Sequence, residues 1–277
     1  MIMDENSFIQ FGKLVIQNRL SPLFVAANHG LPYCIYFLLT KCDVDVNEIC
    51  CRGTPLNCAI ARNHVKVVKL LLSHPRIRLN RQNKLIKRPL HEAIDCSDVI
   101  MFPLLLKQTR IDVNDTDNYG NNCFMYACLR GDISALETLW NINVKTKVNF
   151  YQKHEKTNHT ASHIACTTGN VPVVEFLLKH GLFQANAVDC KDDTPLGSAC
   201  RMGQLNIVHL LLQDQVYTNV PEQCFLHASG FGYVQVMNIL LRYTPKDSAL
   251  KFIQNAVAQN NIQVVILLVN ELDQIDK

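Results

Sequence analysis

The chain has 277 residues, 48% of them apolar and 18% charged, with a formal net charge of +3 and a mean hydropathy of +0.03. That composition excludes disorder and describes an ordinary globular chain, long enough for a substantial buried core. A total charge of +3 is too small to point to nucleic acid, so only its distribution could do so.

In chain order, residues 1–20 open with Met1, Ile2, Met3, Asp4 and Glu5, an acidic start without the basic stretch and apolar core of a secretory leader. Phe8, Ile9, Phe11, Leu14, Val15 and Ile16 follow and predict a helical N-terminal cap. The longest aliphatic run, Val264–Val269, is far short of the roughly 20 residues a membrane span needs, so no membrane partner is expected. None of the twelve cysteines forms a Cys-x-x-Cys pair, and only Cys50 and Cys51 are adjacent. With this length and no leader, they read as free thiols in a reducing, cytoplasmic setting, with no structural metal.

From Ser21 onward the chain repeats itself. Ser21-Pro-Leu-Phe-Val-Ala26, Thr54-Pro-Leu-Asn-Cys-Ala59, Arg88-Pro-Leu-His-Glu-Ala93 and Thr194-Pro-Leu-Gly-Ser-Ala199 are variants of one hexapeptide. Weaker copies begin at Asn122, Thr160, Gln223 and Lys251. Thr at the start can cap a helix and Pro suits its first turn, where no donor is needed. Four residues after each alanine stands Gly30, Asn63, Ser97, Gly131, Gly169, Gly203, Gly232 or Asn260, which predicts a helix-to-helix turn. A second apolar helix follows, as in Val65-x-Val-Val-x-Leu-Leu-Leu72 and Leu205-x-Ile-Val-x-Leu-Leu-Leu212. Connectors such as Val44-Asp-Val-Asn47, Ile77-Arg-Leu-Asn80 and Ile111-Asp-Val-Asn114 alternate apolar residues and end in Asn, predicting short extended arms.

These motifs, in register over most of the chain, resemble the ankyrin repeat, whose period is about 33. Units four, seven and eight lose the Thr-Pro pair, and the last two are short. The resemblance implies an all-α solenoid of stacked helix-turn-helix units with short hairpin connectors and a curved concave face. It places the repeat domain at 21–270, with units starting near 21, 54, 88, 122, 160, 194, 223 and 251, and a polar C-terminal tail at 271–277. Each unit is too small to bury its own apolar faces, so stability must come from stacking.

The resemblance accounts for most residues that could carry chemistry. His91 and His163 fall in the hexapeptide slot used for hydrogen bonds between units, and His64 follows a turn. Cys128, Cys166 and Cys200 follow the hexapeptide alanine, where a small residue packs. Cys50 and Cys51 lie on a connector and are expected to be the most exposed thiols. Trp140 aligns with Leu72, Leu178 and Leu212 and reads as core. No phosphate-cradling loop, nucleophile elbow or His-Glu-x-x-His pattern is present, so neither an enzyme nor a cofactor is expected.

What remains is surface. By register with the family's binding face, Arg62, Arg130 and Arg201 recur at the ends of the first helices, and Phe231 takes that place in unit seven. The hairpin tips add Lys84, Lys87, Tyr119, Lys156, His159 and Lys191. The implied function is a non-enzymatic, monomeric module that docks a partner protein, with an acidic segment favoured by the arginines. A narrower version is a compact effector of an intracellular bacterium or virus. Basic tips binding nucleic acid or a phosphate-bearing ligand form the alternative, which lacks interleaved aromatics and is interrupted by Asp112, Asp115 and Asp117.

Overall fold

The computed structural model describes residues 11, 12, 15, 21–50, 53–81, 88–96, 100–217, 220–243 and 249–273. The chain divides into two compact bodies, Met1–Asn149 and Phe150–Lys277. Sixteen helices of the described residues pair into eight helix-turn-helix repeats, four in each body. In the N-terminal body repeat one pairs Pro22–Asn28 with Pro32–Lys41, repeat two Pro55–Ala61 with Val65–Leu72, repeat three Pro89–Asp95 with Met101–Leu106, and repeat four Cys123–Arg130 with Ile133–Thr146. In the C-terminal body repeat five pairs Ala161–Thr168 with Val171–Lys179, repeat six Pro195–Arg201 with Leu205–Gln213, repeat seven Glu222–Phe231 with Val234–Leu241, and repeat eight Ala249–Ala258 with Ile262–Asp273. No described residue belongs to a strand; a single isolated bridge joins Cys50 and Gly53.

Local chemistry starts and stops these helices. The side chains of Ser21, Thr54, Asn122 and Thr194 each accept the N–H three residues on, and Pro22, Pro55, Pro89 and Pro195 occupy the first turn. The turn positions are left-handed, as at Asn63 (φ 57°), Gly131 (φ 70°), Gly203 (φ 67°) and Asn260 (φ 58°). At Gly203 a side chain would also strike the ring of Tyr233 within 2.8 Å, so conformation and close approach both demand glycine.

Within each body the first helices stack on one another in a row, each burying the hexapeptide alanine and, in repeats one to seven, the residue at the leucine position. Leu56, Ala59, Val67, Val68 and Leu71 of repeat two are all sealed from solvent, as are Leu196, Ala199, Ile207, Val208 and Leu211 of repeat six. The connectors are extended in the expected alternating sense: Ile77 and Leu79 are buried while Arg78 between them is exposed.

Several expectations change. Cys50 is buried against Phe24 and Cys58, because the turn before repeat two folds back on the stack. The exposed thiols are Cys42 and Cys190, and Cys51 lies outside the described residues. Trp140 is half-buried; Leu139 beside it takes the fully buried place. The last helix continues through Asp273, past the expected start of a tail, and 274–277 lie outside the described residues. Of the expected N-terminal cap only Phe11, Gly12 and Val15 are described; they are helical, and Phe11 is buried.

Candidate functional site

Two series of side-chain bonds hold the tips and helix ends in place. Each connector asparagine grips the backbone one repeat on. Asn47 Nδ2 donates to the Arg76 carbonyl (2.8 Å) while its Oδ1 accepts the Arg78 N–H (2.7 Å). Asn80 bridges to Arg110 and Asp112, and Asn114 to Lys147 and Asn149, in the same two-handed way. The residue after each turn forms the second series. The His64 ring meets the Asn28 carbonyl (3.2 Å), Gln204 Nε2 donates to the Thr167 carbonyl (3.1 Å), and Asn261 Nδ2 to that of Ser229 (2.9 Å).

Part of the basic connector of the N-terminal body is built into this framework, while Arg76 and Arg78 are exposed. Arg88 replaces the capping threonine and donates to the Thr116 and Asn80 carbonyls, with Asp115 2.7 Å from its Nη1. Arg81 and Arg110 donate to the carbonyls of Asn47 and Pro75. Lys84 and Lys87 lie outside the described residues. Arg62 ends the first helix of repeat two and is exposed, as is Tyr119 on its hairpin tip. Arg130 differs from Arg62: its Nε lies 3.0 Å from Asp95 Oδ1, and Asp95 also accepts the Tyr126 hydroxyl at 2.9 Å.

In the C-terminal body two buried carboxylates organise the face. Asp189 Oδ1 accepts the N–H groups of Lys191 (2.7 Å) and Asp193 (3.0 Å), which closes the hairpin tip before repeat six. Its Oδ2 faces His159 Nε2 at 3.2 Å and Arg201 Nη2 at 4.0 Å. Burial alone would raise the Asp189 pKa; the two amide donors and the His159 ring outweigh it and hold the carboxyl below the usual range. Asp193 Oδ1 lies 2.7 Å from His227 Nε2. Arg201 Nε stands 3.2 Å from Asp193 Oδ2, close enough for an ion pair although the angle falls short of a hydrogen bond. Phe231 projects from the next helix end, 57% exposed, with its ring near those of His227 and Tyr233.

His163 and His91 do the inter-repeat work expected of their slot. His163 Nε2 meets the Asp193 carbonyl at 3.0 Å, and His91 Nε2 that of Asn121 at 2.9 Å. Burial lowers the pKa of both rings.

The structure therefore sorts the candidate residues into two kinds. Arg62, Tyr119, Lys156, Lys191 and Phe231 are exposed; half-buried His159 and Arg201 face carboxylates of their own body, and Arg130 is exposed yet also lies against one, Asp95. The residues missed from sequence are Asp189 and Asp193, the second of which is also the partner of His227. Asp117 and Asp189 share a register, each accepting the N–H groups two and four residues on, and that recurrence was the available signal.

A family model described as ankyrin repeats in three copies matches residues 6–83 and 141–223, and one for many copies matches 104–139. The chain belongs to the ankyrin-repeat family. Among curated proteins it is 30% identical over 212 residues to the mouse B-cell lymphoma 3 protein homolog, covering 73% of this chain and 46% of that one. It is 28% identical over 169 residues to the human transient receptor potential cation channel subfamily A member 1, covering 58% of this chain and 15% of the channel protein. Human rabankyrin-5 is 30% identical over 162 residues, with 58% and 14% covered. The chain thus spans less than half the length of each of these relatives. Ankyrin repeats indicate a protein–protein interaction module and are generally non-enzymatic. Among the described residues no group of three or more His, Cys, Asp or Glu could hold a metal ion, and no helix is long and apolar enough to cross a membrane.

Proposed function

We propose that this protein binds a partner protein through the hairpin tips and first-helix ends of its ankyrin repeats, and that the segment gripped there is acidic with an apolar anchor. One observation carries this reading. In the C-terminal body the Cys190 N–H donates to the Thr157 carbonyl at 2.9 Å, which joins two neighbouring tips that carry the exposed Lys156 and Lys191. Beneath the Lys191 tip, buried Asp193 pairs with His227 and so ties the tip to the helix end that carries exposed Phe231, an aromatic anchor of the sort that dominates interface energetics. Exposed Glu155 and Asp192 flank the lysines and favour a short acidic stretch in one register over a long one.

Arg130, His159 and Arg201 serve this surface as positioning residues, since their ring and guanidinium nitrogens are directed at Asp95, Asp189 and Asp193. The nucleic-acid reading loses support for a related reason: Arg81, Arg88 and Arg110 are engaged with backbone carbonyls of their own body. For a captured partner, reversing charge at Lys156 and Lys191 together should weaken binding at least tenfold, about 1.4 kcal/mol. Unchanged affinity in that variant, with binding lost on reversal at Lys66 and Lys69 of an outer helix, would overturn the assignment. Binding to random oligonucleotides with a steep salt dependence would favour the alternative.

A further inference from the structure

Resting on the tip-and-helix-end surface proposed above, we infer that the partner segment it takes is an amphipathic helix, held by Met202 and Phe231 through two large apolar residues seven positions apart. Met202 and Phe231 stand three residues past the hexapeptide alanine in repeats six and seven, on first helices that pack against each other. They are 47% and 57% exposed. The same place in the other repeats holds His29, Arg62, Cys96, Arg130, Thr168 and Gln259, so a large apolar residue stands there only in these two neighbours. The stack does not require one, since His29, Arg62, Arg130 and Gln259 are exposed. Tyr233 joins the two anchors. Its ring covers Gly203, the residue after Met202, and its centroid lies 6.1 Å from that of the Phe231 ring.

The backbone of this surface selects the form of its occupant. Every N–H of residues 189–193 is already spent, on the Asp193, Thr157 and Asp189 carbonyls and on Asp189 Oδ1. Those of residues 156–160 are spent within their own tip and on His163 Nδ1. Those of Met202, Gly203, Gly232 and Tyr233 close the helix ends. An extended segment would therefore find no row of donors for its carbonyls, and strand addition is closed to it. A helix bonds its own backbone and asks only for side-chain contacts. The spacing agrees. Packed helices lie about 8–10 Å apart, and residues seven apart on one face of a helix are separated by about 10.5 Å. Phe231 supplies a rigid contact and Met202 an adaptable one. The first helix of repeat six runs from the Lys191 tip to Met202, about 10 Å, close to the width of one helix. The flank of the bound helix turned to the tips thus meets exposed Lys191 and Lys156, and acidic residues belong on that side.

Selecting a displayed library of random peptides on the full chain tests this. The enriched peptides should carry large apolar residues at i and i+7 with Asp or Glu alongside, and should gain helical circular dichroism on binding. Met202→Ala combined with Phe231→Ala should weaken them at least tenfold; both side chains are exposed, so folding is not at stake. Charge reversal at Lys156 and Lys191 should weaken the same peptides. Peptides weakened by that reversal but bound without helix, or untouched by the double alanine variant, overturn the inference and leave the surface assignment standing. Peptides indifferent to all four substitutions overturn both. A library that yields no binder overturns the inference as well.

Discussion

Replacing His163 by Phe keeps a ring in a sealed site and removes only its nitrogens. Those nitrogens have definite tasks. Nδ1 accepts the Thr160 N–H at 3.2 Å, so the hydrogen of the neutral ring sits on Nε2 and is given to the Asp193 carbonyl at 3.0 Å. In the Phe variant the Thr160 N–H loses its partner in a region closed to water, while the Asp193 carbonyl keeps the Asp189 N–H at 3.0 Å. One orphaned donor puts the loss at about 1–3 kcal/mol. His159→Ala removes a half-exposed ring and one ion pair and should cost no more than about 1 kcal/mol. Hydrogen exchange across residues 160–202 reads both values as local opening free energies.

Acid should reproduce part of the His163 effect. Burial lowers the ring's proton affinity in the folded protein, so as pH falls the unfolded chain takes up the proton first. The stabilisation is therefore complete above an unfolded pKa of about 6.5 and is lost as pH drops below it toward the folded value. His91 acts in the same sense in the N-terminal body. Asp189, held below its ordinary value, adds a lower window: its contribution is present above about 3.9 and disappears as pH falls through the folded value. His163→Phe should flatten the upper window in the C-terminal body and leave the lower one. A Phe variant within about 0.5 kcal/mol of wild type, or one whose deficit does not shrink between pH 7.5 and 5, would refute the assignment of this histidine.

Two further outcomes follow from packing. Leu211→Ala empties a sealed site in the second helix of repeat six and should cost about 2–5 kcal/mol by chemical denaturation; a cost below 1 kcal/mol would mean that the stack carries little of the stability. Thiol labelling of the native protein should modify Cys42 and Cys190 promptly. It should spare Cys123, whose pKa burial pushes to about 12, and the similarly raised Cys128, Cys166 and Cys200.

The fold was legible because its repeating features answer to local sterics. Only alanine-sized residues fit where first helices meet, and only Gly or Asn turns readily at φ near +60°, so Ala59 with Asn63 and Ala199 with Gly203 mark a repeat in the sequence itself. Cys50 was misread because connectors are usually exposed, whereas this one folds back onto Phe24. Trp140 was misread because its register is not uniformly core: Leu72 and Leu212 are buried there but Leu178 is half-buried, whereas the preceding position, Leu71, Leu139, Leu177 and Leu211, is sealed in all four repeats.

Charge was harder to read, since whether a cation faces solvent depends on a residue about one repeat away. Arg62 and Arg130 occupy the same register, yet only Arg130 finds a carboxylate, Asp95, in the preceding repeat. The C-terminal body shows why such internal pairs matter for binding. Asp189 spends one oxygen on the N–H groups of Lys191 and Asp193 and turns the other toward His159 and Arg201. The tip that presents Lys191 is thereby fixed by a buried charge, and the helix end that presents Phe231 is tied to the same loop through His227 and Asp193. A partner docking as proposed would meet a surface already ordered, so less of the contact energy would be lost to immobilising loops. In the proposed mode of binding, the buried carboxylates that stay away from the partner set the geometry of the exposed groups that would meet it.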